Sequence, residues 1–326
     1  MRIMFAGTPE VAIPSLVTLA ASDHKLMGVI TRPDRPAGRG RRVVASPVAL
    51  KGEELGLPVL KPAHPKDPEF LEQLRQLAPD VVAVVAYGAL LPQTALDIPP
   101  QGWINLHFSL LPAWRGAAPV QHAIWQGDAI SGATTFRIVR ELDAGPIYGV
   151  MTYELPPRAT SGEVLEYLGR HGAVLLKQTL DLIASGQARP QNQPPDAVSY
   201  ASKITSADAE ITWDVPAWAV DRQVRACFPD PGAWTWFRGQ RIKLGPVMPL
   251  VVDATPGLLD TSGNPGAGGP VALRPGELWV EKKRVLVGAA PGVLVLGQVA
   301  PAGHTHMEAA AWARGARIEA GERLGI

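Results

Sequence analysis

A chain of 326 residues is long enough for two domains of ordinary size, and 46% hydrophobic against 19% charged residues places it among globular proteins. A formal charge of +1 excludes a protein that coats nucleic acid by bulk charge, so any RNA contact must rest on local clusters. The single cysteine, Cys227, excludes an internal disulfide or a zinc site built on cysteines, and reads as a small buried apolar residue.

The chain opens directly on Arg2-Ile3-Met4-Phe5-Ala6, a buried strand with no signal or transit segment before it. No apolar run is long enough to span a membrane, so a cytoplasmic protein is expected. Short apolar runs at residues 3–6, 26–31 and 81–87 predict strands. The stretches after Pro9, after Pro47 and around residues 69–77 predict helices. Strand–helix alternation implies an α/β parallel sheet with helices on both faces. The run Val81-Val82-Ala83-Val84-Val85-Ala86 is apolar on both faces, as a central parallel strand must be. Ligands in such sheets bind beyond the carboxyl ends of the strands, where Gly7-Thr8-Pro9, Tyr87-Gly88 and Asn105–His107 fall. Phe5-Ala6-Gly7-Thr8-Pro9 is neither G-x-G-x-x-G nor a P-loop; Gly7 is expected to make a tight turn and Pro9 to start a helix.

Further strands are expected at 134–139 and 147–155, and a helix over 161–187. Residues 187–197 are rich in Pro, Gln and Asn and read as linker. The expected division is a first domain at 1–187, a linker at 188–203 and a second domain at 204–326. The second domain has one short helix, 217–227, then short strand candidates at 234–237, 241–244, 271–273, 285–287 and 293–296. An irregular piece, 255–269, interrupts them, and a helical tail spans 307–314. Short strands with Gly/Pro turns suggest a small β-barrel; Trp213, Trp218, Trp234 and Trp236 are expected mainly in its core and in domain packing, the alternative being stacking on bases.

Chemistry concentrates in Asn105-Leu106-His107-Phe108-Ser109-Leu110-Leu111-Pro112 and in Leu142-Asp143-Ala144-Gly145. On a strand, Asn105 and His107 share a face, and both can donate hydrogen bonds to an oxygen gaining negative charge. Asp143 beside them would hold the imidazole charged and direct a proton. The plainer reading is two polar residues at a strand end and a turn-forming aspartate before Gly145.

Asn-x-His with Ser-Leu-Leu-Pro, then Arg115-Gly116-Ala117-Ala118-Pro119, then Leu-Asp-x-Gly, resembles the folate-dependent formyltransferases, nearest the branch acting on methionyl-tRNA. The resemblance runs from Phe5 to the last fifty residues. It implies a Rossmann-like N-terminal formyltransferase domain and an OB-like C-terminal barrel that binds tRNA. It implies 10-formyltetrahydrofolate as cosubstrate, methionyl initiator tRNA as acceptor, no metal, no membrane partner and a monomer. It assigns catalysis to Asn105, His107 and Asp143. It assigns folate contact to Val85, Tyr87, Gly88, Leu90, Leu91, Ser109, Leu110, Leu111 and Pro112. It assigns tRNA contact to a loop carrying Arg32, Arg35, Arg39, Arg41 and Arg42, which on charge alone is equally an exposed, solvated basic loop. Arg140 and Glu141 are open in role, a surface ion pair being the plain alternative. Where many members carry a lysine-rich turn before the terminal helix, this chain has Gly303-His304-Thr305-His306-Met307, a weaker or pH-sensitive RNA surface. Competing readings are a glycinamide ribonucleotide or sugar-nucleotide formyltransferase, a formylfolate hydrolase or dehydrogenase, and a tRNA-binding module without catalysis. The arginine loop disfavours the small-amine enzymes, and the Asn/His/Asp set disfavours the bare binding module.

Overall fold

The computed structural model describes residues 1–37, 42–250 and 273–326, with backbone alone at Pro36, Ala37 and Arg42. The chain divides into two compact units. One comprises Met1–Val120, Ala129–Pro156 and Glu163–Lys203; the other comprises Gln121–Asp128, Pro157–Gly162 and Ile204–Ile326.

The elements up to residue 201 run in chain order as follows. First come β1 (Arg2–Gly7), α1 (Ile13–Ala20), β2 (Lys25–Ile30), β3 (Arg35–Ala37), β4 (Arg42–Val44), α2 (Pro47–Glu54), β5 (Val59–Leu60) and α3 (Pro68–Leu77). After them come β6 (Val81–Val85), α4 (Gln93–Leu96), β7 (Trp103–His107), β8 (Arg115–Gly116), α5 (Pro119–Gln126), β9 (Ile130–Arg137), β10 (Ile147–Glu154), α6 (Ser161–Ala184) and β11 (Tyr200–Ala201). A seven-stranded sheet has the order β10-β9-β7-β6-β1-β2-β5. β5, β2, β1, β6 and β7 are parallel, and β9 and β10 add an antiparallel edge. The chain winds outward from β1 through β2 to β5, then returns to β6 on the other side of β1. In open parallel sheets ligands bind beyond the carboxyl ends of the strands at such a reversal, which here falls between β1's two neighbours, β2 and β6.

Local sequence explains the local elements. In α3, Pro68 sits in the first turn, Phe70, Leu71 and Leu74 are buried on one face, and Ala78 ends the helix with a left-handed φ of 42°. Every residue of β6 is buried, as a strand covered on both faces requires. Ile3, Met4, Phe5, Trp103 and Phe136 are fully buried, each contributing roughly 1.5–3 kcal/mol by leaving water. The Trp103 indole N–H donates to the Ala95 carbonyl at 2.9 Å.

Four expectations change here. The strand expected over 81–87 stops at Val85, because Ala86 turns left-handed at φ 47° and leaves the ladder. Gly7 serves close approach rather than a turn of special φ: a Cβ there would lie 2.9 Å from both the Phe5 ring and the Val85 carbonyl. Pro9 does not begin a helix directly but precedes a single 3-10 turn, Glu10–Ala12, ahead of α1. The arginine segment is not a plain loop either. β3 and β4 pair antiparallel, Arg35 opposite Val44 and Ala37 opposite Arg42.

Residues 188–203 fall within the first unit. Gln191 and Ile147 exchange backbone hydrogen bonds at 2.7 and 2.8 Å, and β11 pairs in parallel with β8.

The second unit contains α7 (Ala217–Cys227), β12 (Trp234–Phe237), β13 (Gln240–Leu244), β14 (Met248–Pro249), β15 (Leu278–Val280), β16 (Val285–Ala289), β17 (Gly292–Leu296), β18 (Gln298–Pro301), β19 (Met307–Glu308) and α8 (Ala309–Ala316). Its described strands form two four-stranded sheets, β12-β13-β18-β19 and β14-β17-β16-β15. Trp213 and Trp234 are buried, whereas Trp218 and Trp236 are exposed and so do not belong wholly to the core. The piece 255–269 lies outside the described residues, as do 271 and 272 of the strand expected at 271–273. The helical tail begins later than expected. Met307 and Glu308 pair with the edge of β18, and only the Ala-rich run from Ala309 is helical. Cys227 is buried, and burial pushes its thiol up to about 12, as suits a packing residue rather than a nucleophile. No helix among the described residues is long and apolar enough to cross a membrane.

Candidate active site

Asn105 and His107 stand at the carboxyl end of β7, two residues apart and therefore on one face. β7 lies between parallel β6, where Asn105 is opposite Val84, and antiparallel β9, where His107 is opposite Thr134. Two-sided pairing fixes both residues in register. Asn105 is half-buried, and its carboxamide has no hydrogen-bond partner among the described residues. His107 is 6% exposed and packs edge-on to Phe136, with ring centroids 6.2 Å apart.

The imidazole is oriented by its two nitrogens. Nε2 lies 2.9 Å from the Trp114 carbonyl. A carbonyl only accepts, so Nε2 carries the hydrogen. Nδ1 faces the Asp143 carboxylate, 3.8 Å from Oδ2. Burial pushes the His107 pKa below its ordinary value, and the opposing pull of Asp143 and of the Trp114 carbonyl does not overcome it. This reverses the expectation of a histidine held charged by Asp143. His107 rests neutral, with a bare lone pair on Nδ1 turned toward a carboxylate.

Asp143 lies in the β9–β10 connection, in a left-handed conformation at φ 48°. For a residue with a Cβ that conformation costs roughly 1–2 kcal/mol, so its surroundings must hold it. Oδ2 accepts a hydrogen bond from the Gly116 N–H at 2.8 Å. The Gln193 carboxamide donates to the Asp143 carbonyl at 2.8 Å and to the Gly145 carbonyl at 2.9 Å. Gln193 Oε1 in turn accepts from Arg115 at 2.7 and 3.1 Å. The Arg115 side chain is 7% exposed and also pairs with Glu141 at 3.5 Å, so Glu141 joins the support of this loop.

Sequence reasoning passed over Gln193, Arg115 as a support, and Ser199, whose hydroxyl accepts from the Trp114 N–H at 2.9 Å. A Gln in a Pro-rich stretch carries no local signal, because its partners are some fifty and eighty residues away. Residues 192–195 and 198, with Tyr200, Arg115, Glu141 and Ala144, line a cavity of about 520 Å³ behind the Asp143 loop.

The expected folate residues occupy two neighbouring strand ends. Val85 closes β6, and the buried Tyr87 and then Gly88 follow it. Thr8 donates to the Tyr87 carbonyl at 2.8 Å, tying the ends of β1 and β6 together. Burial pushes the Tyr87 phenol up to about 12, against the pull of Arg32. Leu90 is 84% exposed and Leu91 half-buried. Ser109, Leu111 and Pro112 are buried and Leu110 half-buried. The Ser109 hydroxyl donates to the Ala113 carbonyl at 2.6 Å, and Thr134 donates to the Ser109 carbonyl at 2.7 Å.

Of the basic residues, Arg32 is half-buried beyond the end of β2, its backbone N–H 3.4 Å from the Thr8 hydroxyl, and Arg35 is exposed at the start of β3. Arg39 and Arg41 lie outside the described residues, and so does the side chain of Arg42. Among the described residues there is no group of three or more His, Cys, Asp or Glu side chains that could hold a metal ion.

Both halves of the chain match known proteins. Residues 1–180 match the formyl transferase family, and residues 203–317 match the formyl transferase C-terminal domain. The chain is 59% identical over 326 residues to a protein from a Nocardioides strain named methionyl-tRNA formyltransferase, covering all of this chain and 98% of that one. It is 58% identical over 325 residues to the protein of the same name from Thermobifida fusca, covering 100% and 99%. Among solved structures, HypX from Aquifex aeolicus in complex with tetrahydrofolic acid shares the fold at a TM-score of 0.64 and 17% identity, over 96% of this chain and 47% of that one. With both halves matched in order and the similarity running end to end, the chain belongs to the formyl transferase family, among the methionyl-tRNA formyltransferases.

Proposed function

We propose that this protein transfers the formyl group of 10-formyltetrahydrofolate to the α-amino group of methionyl initiator tRNA, giving N-formylmethionyl-tRNA. The observation that carries the reading is the full-length identity of 59% to a methionyl-tRNA formyltransferase. Asn105, His107 and Asp143 are the catalytic residues. A free α-amino group has a pKa of about 8, and esterification of its carboxyl lowers that, so much of the acceptor is neutral near pH 7. Its attack forms the new C–N bond and moves the carbonyl electron pair onto oxygen. The uncommitted Asn105 carboxamide donates to that oxygen. Neutral His107 accepts the amine proton at Nδ1, and Asp143 offsets the charge so formed. The new Nδ1–H is a second, charged donor to the oxygen. The same proton then passes to the departing folate nitrogen as its C–N bond breaks.

Val85, Tyr87, Gly88, Leu90 and Leu91, with Ser109, Leu110, Leu111 and Pro112, take the folate. A flat heterocycle wants an apolar slot edged by backbone donors and acceptors, and two adjacent strand ends supply both. Arg32, Arg35, Arg39, Arg41 and Arg42 contact the tRNA through its phosphates; of these, Arg32 follows β2 and Arg35 opens β3.

The test is transfer of labelled formyl from 10-formyltetrahydrofolate to charged initiator tRNA, with glycinamide ribonucleotide and an amino-sugar nucleotide as parallel acceptors. Label in tRNA alone, abolished by His107→Ala, is the expected result. Label in a small amine with the tRNA unlabelled would overturn the assignment.

A further inference from the structure

Asp143 is the least self-supporting part of the site. It is a left-handed, non-glycine residue in a connection between two strands, yet its carboxylate must stay near a buried imidazole. Gln193 meets this need from fifty residues away. One nitrogen grips two carbonyls of the loop, those of Asp143 and Gly145, on either side of Ala144. The polarity of the carboxamide is not free. Its oxygen accepts two hydrogen bonds from the Arg115 guanidinium, which can only donate. The nitrogen must therefore point at the carbonyls. Arg115 is buried, and its position in β8 is fixed by pairing with β11, the continuation of the Gln193 segment. Gly116, next to it, supplies the N–H that holds the carboxylate.

We infer that Gln193, oriented by Arg115, is a positioning residue for formyl transfer, acting through Asp143 rather than on substrate. This rests on the catalytic reading given above. Segment 188–203 is then part of the active site's frame as well as the path to the second unit. Glutamate at position 193 separates positioning from packing. It keeps the volume and the Arg115 pair, but replaces the two-carbonyl donor with an oxygen that repels both carbonyls.

The experiment compares wild type, Gln193→Glu, Gln193→Ala, Asp143→Asn and the double variant Gln193→Ala/Asp143→Asn, each as the full chain, for kcat, KM of both substrates, the pH profile and thermal stability. The expected result for Gln193→Glu is a kcat lowered about 10- to 100-fold, KM values within twofold, and an acidic limb shifted to lower pH as His107 loses the upward pull of Asp143. In the Asp143→Asn background, Gln193→Ala should cost less than threefold further. Wild-type kcat and pH profile in Gln193→Glu, or fully multiplied losses in the double variant, would overturn the inference. Failure of the wild type to formylate methionyl-tRNA would instead overturn the function on which it rests.

Discussion

At His107 two effects of opposite sign meet. A carboxylate 3.8 Å away favours the imidazolium, and a nearly complete loss of solvent disfavours it more. Because the folded-state pKa is depressed, the unfolded chain binds the proton first as pH falls. The stability that His107 contributes is therefore complete above its unfolded value, near 6.5, and is lost as pH drops through that value toward the folded one. Denaturant unfolding between pH 5 and 8 should show this slope in the wild type and a flatter one in His107→Asn. The same variant should lose on the order of 100- to 1,000-fold in kcat with little change in KM, because it removes a donor to the developing oxyanion. Gly116 offers a second residue-scale test. Its φ is +124°, and a Cβ there would lie 2.5 Å from the Ala201 carbonyl. Gly116→Ala should cost about 1–3 kcal/mol in urea unfolding and lower kcat by loosening the Asp143 carboxylate. The Asn-x-His spacing was legible in sequence because strand alternation alone places both residues on one face. The charge of His107 was not, because burial depends on residues packed around it from other strands.

Among the elements, β3 opens on Arg35, one of the basic residues proposed above to contact tRNA. Arg35 is exposed. Arg35→Ala should weaken initiator-tRNA binding severalfold and reduce the magnitude of the salt slope by about one, with the KM for 10-formyltetrahydrofolate unchanged. Filter binding across a salt series, run beside steady-state kinetics, separates these effects. An unchanged salt slope would return the arginines to a solvated surface role. The strands expected at 3–6, 26–31, 81–87, 134–139 and 147–155 correspond to β1, β2, β6, β9 and β10 to within a few residues, since apolar runs mark buried strands, whereas the two-residue β5 went unread. The pairing of β3 with β4 and the short pairing of β8 with β11 were not readable, because Pro, Gly and Arg carry no strand signature and the latter pairing is long-range. Gln193 was missed for the same reason, in a segment whose composition reads as linker.

At the scale of the whole molecule, two units are stabilised by different means. The first buries a continuous apolar sheet. The second places a carboxylate in its interior: Asp221 is 4% exposed and lies 3.0 Å from Arg225 and 2.7 Å from Arg158. Arg225 also donates to the Ala159 carbonyl at 3.0 Å, and Arg158 donates to the Val247 carbonyl. Removing one member leaves buried charge uncompensated, so Asp221→Ala should destabilise the second unit by about 3–5 kcal/mol. Seven of the nine tryptophans belong to that unit, so fluorescence-detected unfolding reports mainly on it. Formyl transfer to tRNA at low temperature should persist while the unfolding midpoint falls.

The sequence by itself determined the α/β sheet and the change of texture after residue 203, and it singled out Asn105, His107 and Asp143 as candidates, because strand periodicity and short motifs are local properties. Only the tertiary structure decided that His107 is neutral, that Asp143 is held in a left-handed turn, and that Gln193 and Arg115 hold it there. Those outcomes depend on desolvation and on hydrogen bonds between residues far apart in the chain, and neither quantity exists until the fold has brought them together.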